Sequence, residues 1–205
     1  MAKYLALLRG INVGGQKIIK MANLAKIFSG MGFAGVQTYI QSGNVIFECA
    51  QKDAAALTPK IERGLRDKLG YDAPVVLRTA EEFAAVAASD PLRKEPLRAA
   101  GKYYVAFLSA IPEPARVREL ESRSNQWEVF RVCGREVFVL VSPDPKKKLT
   151  FGGNVVEKTL GVKATARNRK VVGELAELLA GATTNSEKTQ KIRRSPRKPA
   201  SDRNR

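Results

Sequence analysis

A chain of 205 residues, 44% of them hydrophobic, is long enough for one large domain or two small ones and for a real core. It carries 36 Lys and Arg against 20 Asp and Glu, a net charge of +16, and no histidine at all. The missing histidine excludes Ser-His and Cys-His nucleophilic pairs, histidine general bases and histidine metal sites. No secretory apolar segment opens the chain, and no apolar run approaches the roughly 18 residues of a membrane span, which reads as a soluble, cytoplasmic protein.

In chain order, residues 3–9 form a short, nearly all-apolar run, as expected of a central strand buried on both faces. It breaks into Gly10-Ile11-Asn12-Val13-Gly14-Gly15-Gln16-Lys17. Residues 21–31 follow with Met21, Leu24, Ile27, Phe28 and Met31 at helical spacing, and Gly32 stops them. Val36 to Gln41 and Asn44 to Cys49 read as strands around a tight Ser42-Gly43 hairpin. Thr58-Pro59 signals a helix opening, with Ile61, Leu65 and Leu69 inward and Gly70 at its end. Pro74 to Arg78 is a further strand, and Thr79 with Glu82 forms a capping box for a linking helix that turns Phe83 and Val86 inward. The stretch up to Gly101 is charged and contains Pro, and reads as a connection.

The order then recurs. Lys102 to Ser109 is an apolar strand, and Pro112-Glu113-Pro114 starts a helix with Val117 and Leu120. Trp127 to Val132 and Glu136 to Val141 are strands around Cys133-Gly134-Arg135. Residues 151–160 read as a helix after the Lys146-Lys147-Lys148 loop, Val162 to Ala166 as a strand, and 168–180 as an apolar-striped final helix. The fold class expected is α+β, two ferredoxin-like β-α-β-β-α-β halves in tandem. The division expected is 1–89 for the first half with its linking helix, 90–101 for the connection, 102–181 for the second half and 182–205 for a disordered basic tail. That tail holds eight Lys and Arg against Glu187 and Asp202, a net +6, so the remainder keeps +10.

Topology supplies the main functional inference. In such a unit the first two strands run in the same direction, joined by a right-handed crossover. Their exits, Gly10–Lys17 and Ser42–Asn44, therefore lie at the same end of the sheet. Arg9, Gly10, Asn12, Gly14, Gly15 and Lys17 from one loop and Gln41, Ser42, Gly43 and Asn44 from the other become candidate ligand residues, joined by Arg167 and Asn168 before the last helix. Backbone amides at the glycines can reach an anion, with base around them, or the glycines can simply supply special dihedrals. Asn12 can bind a ligand or close an Asx turn. Asn168 suits a helix N-cap, and Arg167 can reach an anion or a carboxylate. Neither a Walker loop nor a dinucleotide fingerprint is present, so no cofactor is expected. Cys49 and Cys133 show neither metal-ligand nor redox spacing, so no metal is expected and no catalytic residue can be named.

The segments Tyr4-Leu5-Ala6-Leu7-Leu8-Arg9-Gly10-Ile11-Asn12-Val13-Gly14-Gly15 and Thr38-Tyr39-Ile40-Gln41-Ser42-Gly43-Asn44-Val45, with Met21 and Leu24 between them, resemble the family called domain of unknown function 1697. Thr165-Ala166-Arg167-Asn168 is similar to its third signature, and the resemblance runs from residue 3 to about 180. It implies two linked α+β halves of ferredoxin-like type and no established activity, substrate or cofactor. Members place an aromatic after the Arg-Asn, often followed by Thr, where this chain has Arg169 and Val171.

Two functional classes follow. One is a protein that binds a small anionic ligand, a nucleotide among the candidates, between the 10–17 loop and the 42–44 hairpin. The other is a non-specific nucleic-acid-binding accessory protein acting through net charge and the basic tail. No stacking motif stands on the strands, which argues against specific RNA readout.

Overall fold

The computed structural model describes residues 1–181 except 52, 145, 147, 148, 152 and 153. The expected basic tail, and Lys147 and Lys148 of the lysine loop, lie outside the described residues.

The first half contains β1 (Ala2–Leu8), α1 (Met21–Gly30), β2 (Ala34–Tyr39), β3 (Asn44–Cys49), α2 (Ala54–Leu69), β4 (Val75–Thr79) and α3 (Ala80–Ala88). The second contains β5 (Lys102–Leu108), α4 (Pro114–Glu121), β6 (Glu128–Cys133), β7 (Glu136–Val141), α5 (Val155–Leu160), β8 (Ala164–Asn168) and α6 (Arg169–Leu179). Each half builds a four-stranded antiparallel sheet, in the orders β2-β3-β1-β4 and β6-β7-β5-β8. The fold is α+β with a β-α-β-β-α-β order in each half, and α3 and α6 are counterparts that follow the fourth strand of each. No described helix is long and apolar enough to cross a membrane.

The sheets divide the molecule into three apolar layers. One outer layer packs α1 and α2 on the first sheet through Leu24, Phe28, Phe47, Ile61 and Leu65. The other packs α4 and α5 on the second sheet through Leu120, Phe130, Val139 and Val156. The central layer joins the inner faces of both sheets to α3 and α6 through Leu5, Leu7, Phe83, Phe107, Phe138 and Val172. Leu92, in the connection between the halves, is buried in that central layer. Alternation along β1 explains the division: odd positions face the centre and even positions face α1 and α2.

Several bounds differ from the sequence reading: α5 begins at Val155 and not at 151, β8 runs Ala164–Asn168 and not 162–166, and α2 and β2 differ for clear local reasons. α2 begins at Ala54, because the Asp53 carboxylate accepts the Ala55 N–H at 2.9 Å and three alanines carry the first turn. Pro59 therefore sits inside the helix instead of opening it. β2 ends at Tyr39, since Ile40–Ser42 wind into a 3-10 turn that Gly43 closes in the left-handed region. A side chain on Gly43 would meet Ile11 Cδ1 at 2.7 Å and Leu8 Cβ at 2.8 Å, so this position requires glycine for both its φ of 73° and its close approach.

Candidate functional site

β1 and β2 run in the same direction, each antiparallel to β3 between them. Their exit loops meet. The Leu8 N–H donates to Gly43 O at 2.8 Å, and Asn12 Nδ2 donates to Gln41 O at 3.1 Å. Between the loops and the facing end of β8 lies an open cleft of about 390 Å³. Arg9, Gly10, Asn12, Gln41, Ser42 and Arg167 line it among the residues expected from sequence, and Asn154 and Thr165 join them.

The remaining candidates lie elsewhere. Gly43 and Asn44 form the layer behind the cleft wall, where Asn44 is fully buried. Gly14 and Gly15 sit further along the loop with φ of 59° and 75°, and a Cβ there would meet nothing within 4 Å. Lys17 turns away, donating from Nζ to Asp72 O at 2.9 Å over the Tyr71 ring. Asn168 accepts the Val171 N–H at 2.9 Å and caps α6. Arg169 follows it into α6 and donates to the carbonyls of Val86 and Ala87 at the end of α3, while Val171 is buried in the central layer. The departure from the family's third signature thus falls at the α3–α6 contact, not in the cleft.

Asn12, with φ of 53°, uses its side chain to hold the loop. Its Oδ1 accepts the Ile19 N–H at 2.8 Å, and its Nδ2 donates to Ile19 O at 3.1 Å as well as to Gln41. What it presents to the cleft is backbone. Gln41, exposed at the rim, makes no side-chain hydrogen bond to another described residue. Arg9 pairs through Nε and Nη2 with both carboxylate oxygens of Glu157, and Glu157 Oε1 also accepts the Ala164 N–H at 2.7 Å.

Arg167 is the unusual group. It reaches from the second sheet across to the first-half loops and is nearly fully buried. Nε donates to Asn44 Oδ1 at 2.6 Å, Nη1 to Thr165 Oγ1 and Ala166 O, and Nη2 to Leu8 O and Ser42 O. Every acceptor is neutral. Among the described residues no carboxylate pairs with this guanidinium. Burial pushes its pKa down to about 10, which leaves it cationic at neutral pH.

The first half supplies an internal control. Arg78 lies opposite Leu5 on β1 as Arg167 lies opposite Val105 on β5, and Asn44 and Glu136 open β3 and β7 opposite Leu7 and Phe107. Arg78 likewise crosses to the other half, donating from Nη2 to Leu108 O and Arg135 O. But its Nε meets the Glu136 carboxylate at 2.8 Å, where Arg167 meets an amide. Burial lowers the Arg78 pKa and the Glu136 charge opposes that shift. The cleft beside Arg78, bordered by Ala54, Thr58, Val75, Leu77 and Ser109, measures only about 200 Å³. A further hollow of about 390 Å³ lies against α3 and the β6–β7 turn, but there Arg135 pairs with Glu82 and Arg78 with Glu136. Cys133 borders it, and burial raises its thiol pKa, so it is not activated.

Sequence reasoning did not find Asn154, Glu157 or the Arg78–Glu136 twin. A signal for the last was present: an arginine stands immediately before each helix cap, at Arg78-Thr79 and at Arg167-Asn168.

The fold and cleft define a duplicated α+β protein whose two halves exchange arginines. Residues 1–138 match the family model described as "Protein of unknown function (DUF1697)", and the chain belongs to that family. The match stops before β8, so Arg167 lies beyond it. Among solved structures the chain is similar to the conserved bacterial protein SP0830 from Streptococcus pneumoniae, with a TM-score of 0.70 at 24% identity over 88% of this chain and 99% of that one. That likeness shows the fold. No curated protein matches the chain.

Proposed function

We propose that this is a cytoplasmic binding protein for a small anionic ligand, held in the cleft between the Gly10–Lys17 loop and the Ile40–Gly43 turn. The observation that carries the reading is the unmatched charge of Arg167. All five of its N–H groups are already engaged, so it acts as a fixed positive charge in the wall. At about 5 Å and an effective dielectric of about 20, such a charge is worth roughly 3 kcal/mol to a monovalent anion before desolvation and salt reduce it. The twin site supports the choice, because there the arginine charge is neutralised by Glu136.

Direct contacts fall to other groups. Arg9 keeps Nη1 outside its pair with Glu157, Ser42 has a hydroxyl proton to give, and Gln41 has a free amide at the rim. Backbone strain points to the same place. The non-glycine residues with left-handed φ include Asn12 and Asn154 on the cleft and Ile40 beside it. A β-branched residue at φ of 45° costs about 1–3 kcal/mol, which the fold retains at this turn.

A thermal-shift comparison of pyrophosphate, phosphorylated sugars and nucleotides against neutral analogues tests the reading. A ligand at about 100 times its Kd stabilises by roughly 2.7 kcal/mol. Anions should raise Tm, neutral analogues should not, and Gln41→Ala should shrink the shift. Equal response to charged and neutral compounds would contradict it.

A further inference from the structure

Beside the cleft, on the outer face of the second sheet, lies a slot of about 260 Å³, and the two share Asn154, Ala164 and Ala166 as walls. The slot is floored by Ala106, Ala164 and Ala166 and walled by Phe151, Val156 and Asn154, with Glu157, the partner of Arg9, at its edge. Phe151 is held against Tyr104, ring centroids 5.2 Å apart.

Comparison of the halves shows how the slot arises. By strand register Ala164 corresponds to Val75 and Ala166 to Leu77. Val75 and Leu77 are buried beneath α2, a helix of 16 residues. In the second half the corresponding helix, α5, has six residues, the side chains are cut back to methyl groups, and Ala166 is exposed. The same trimming on strand and helix opens a flat apolar surface directly beside the unmatched charge of Arg167.

We propose that the ligand is a mononucleotide or a compound of the same build, its phosphate in the cleft beside Arg167 and its flat aromatic ring in the alanine-floored slot against Phe151. This rests on the anion-binding reading above and adds the chemistry of the rest of the ligand. The cleft, at about 390 Å³, falls within the roughly 300 to 1,000 Å³ of ligand sites, and the adjoining slot of about 260 Å³ adds room for a ring beside it. A flat ring suits a floor of three alanines, because methyl groups let a planar face approach the sheet closely. An aromatic wall adds a stacking or edge contact. The chain's own residues 182–205 are the wrong occupant, since their net charge of +6 is repelled by Arg167.

The test is isothermal titration of the full chain with inorganic phosphate, ribose 5-phosphate and AMP, repeated on Ala166→Leu and Phe151→Ala. Ala166→Leu restores the side chain that stands at Leu77 in the first half, at an exposed position that the fold tolerates. AMP should bind at least tenfold tighter than ribose 5-phosphate. Ala166→Leu should erase that preference, and Phe151→Ala, at a residue that lines the slot and not the cleft, should weaken AMP several-fold while leaving ribose 5-phosphate within twofold of its original affinity. If AMP and ribose 5-phosphate bind alike, or if Ala166→Leu leaves the preference intact, the slot holds no ring and only the anion site stands. If none of the three binds, both readings fail together.

Discussion

Arg167 of β8 donates its Nε–H to Asn44 Oδ1 at 2.6 Å, joining the last strand of one half to the hairpin of the other through an amide and not a carboxylate. Asn44 answers with its own Nδ2, which donates to Tyr39 O at 2.9 Å and Ser42 Oγ at 3.0 Å. One buried side chain thus shapes the turn and anchors a cation. Asn44→Ala should cost about 3 kcal/mol, because it leaves a buried guanidinium N–H without its acceptor and removes both hydrogen bonds that Nδ2 gives to the turn. The urea midpoint of unfolding measures it, and a loss below about 1 kcal/mol would show that the turn holds without the amide.

Asn12 should prove structural and conformationally selective. Asn12→Ala removes three hydrogen bonds and, at φ of 53°, the polar side chain by which Asn tolerates the left-handed region, for an expected loss of about 2–3 kcal/mol. Asn12→Gly loses the same bonds but accepts the dihedral, so it should be milder by about 1 kcal/mol. Equal losses would mean that the backbone relaxes.

Asn168 separates a cap from a ligand contact. Asn168→Ala should destabilise by about 1 kcal/mol through loss of the α6 N-cap, and pyrophosphate affinity should not change. A drop in affinity with stability intact would return Asn168 to the site.

Much of this was legible because it is local or periodic. The nearly all-apolar β1, the Thr79–Glu82 capping box, the stripe of α6 and the Asn168 cap each declare themselves within a few residues. The meeting of the two exit loops followed from crossover topology. The side-chain roles did not follow. Asn12 reads as a ligand donor until Ile19, seven residues on, is seen to consume its amide. The first-half partners of Arg167 lie 123 and more residues away, on a face that only the packing of two sheets creates. Pro59 misled because proline favours helix starts, and the Asp53 cap outweighed it.

Tyr103 gives the stability a dependence on alkaline pH. Burial first, then the hydrogen bond to Asp90 and the charge of Asp90, raise its pKa above the usual 10.0. A phenol with a raised native pKa contributes stability that is full below about pH 10 and is lost as pH rises above it, because the unfolded chain ionises there first. The stability difference between the wild type and Tyr103→Phe should shrink by about 1.4 kcal/mol per pH unit above pH 10. A difference independent of pH would mean that Tyr103 ionises freely.

Nucleic-acid binding, if measured, should be electrostatic. With a net +16, affinity for oligonucleotides should fall steeply with salt, and truncating residues 182–205 should weaken every sequence alike. Sequence-selective binding that persists at high salt would contradict a purely electrostatic role.

The central claim is that the unmatched charge of Arg167 makes the cleft an anion site, and Asn44→Asp tests it most directly. The substitution places a carboxylate where the amide oxygen now lies, 2.6 Å from Arg167 Nε, reproducing the Arg78–Glu136 pair of the other half. Pyrophosphate titrated into wild type and Asn44→Asp, with folding of both verified by urea unfolding, should bind the variant at least tenfold more weakly. Equal affinity in the two proteins would show that the charge of Arg167 does not draw the anion, and the site would have to be sought elsewhere.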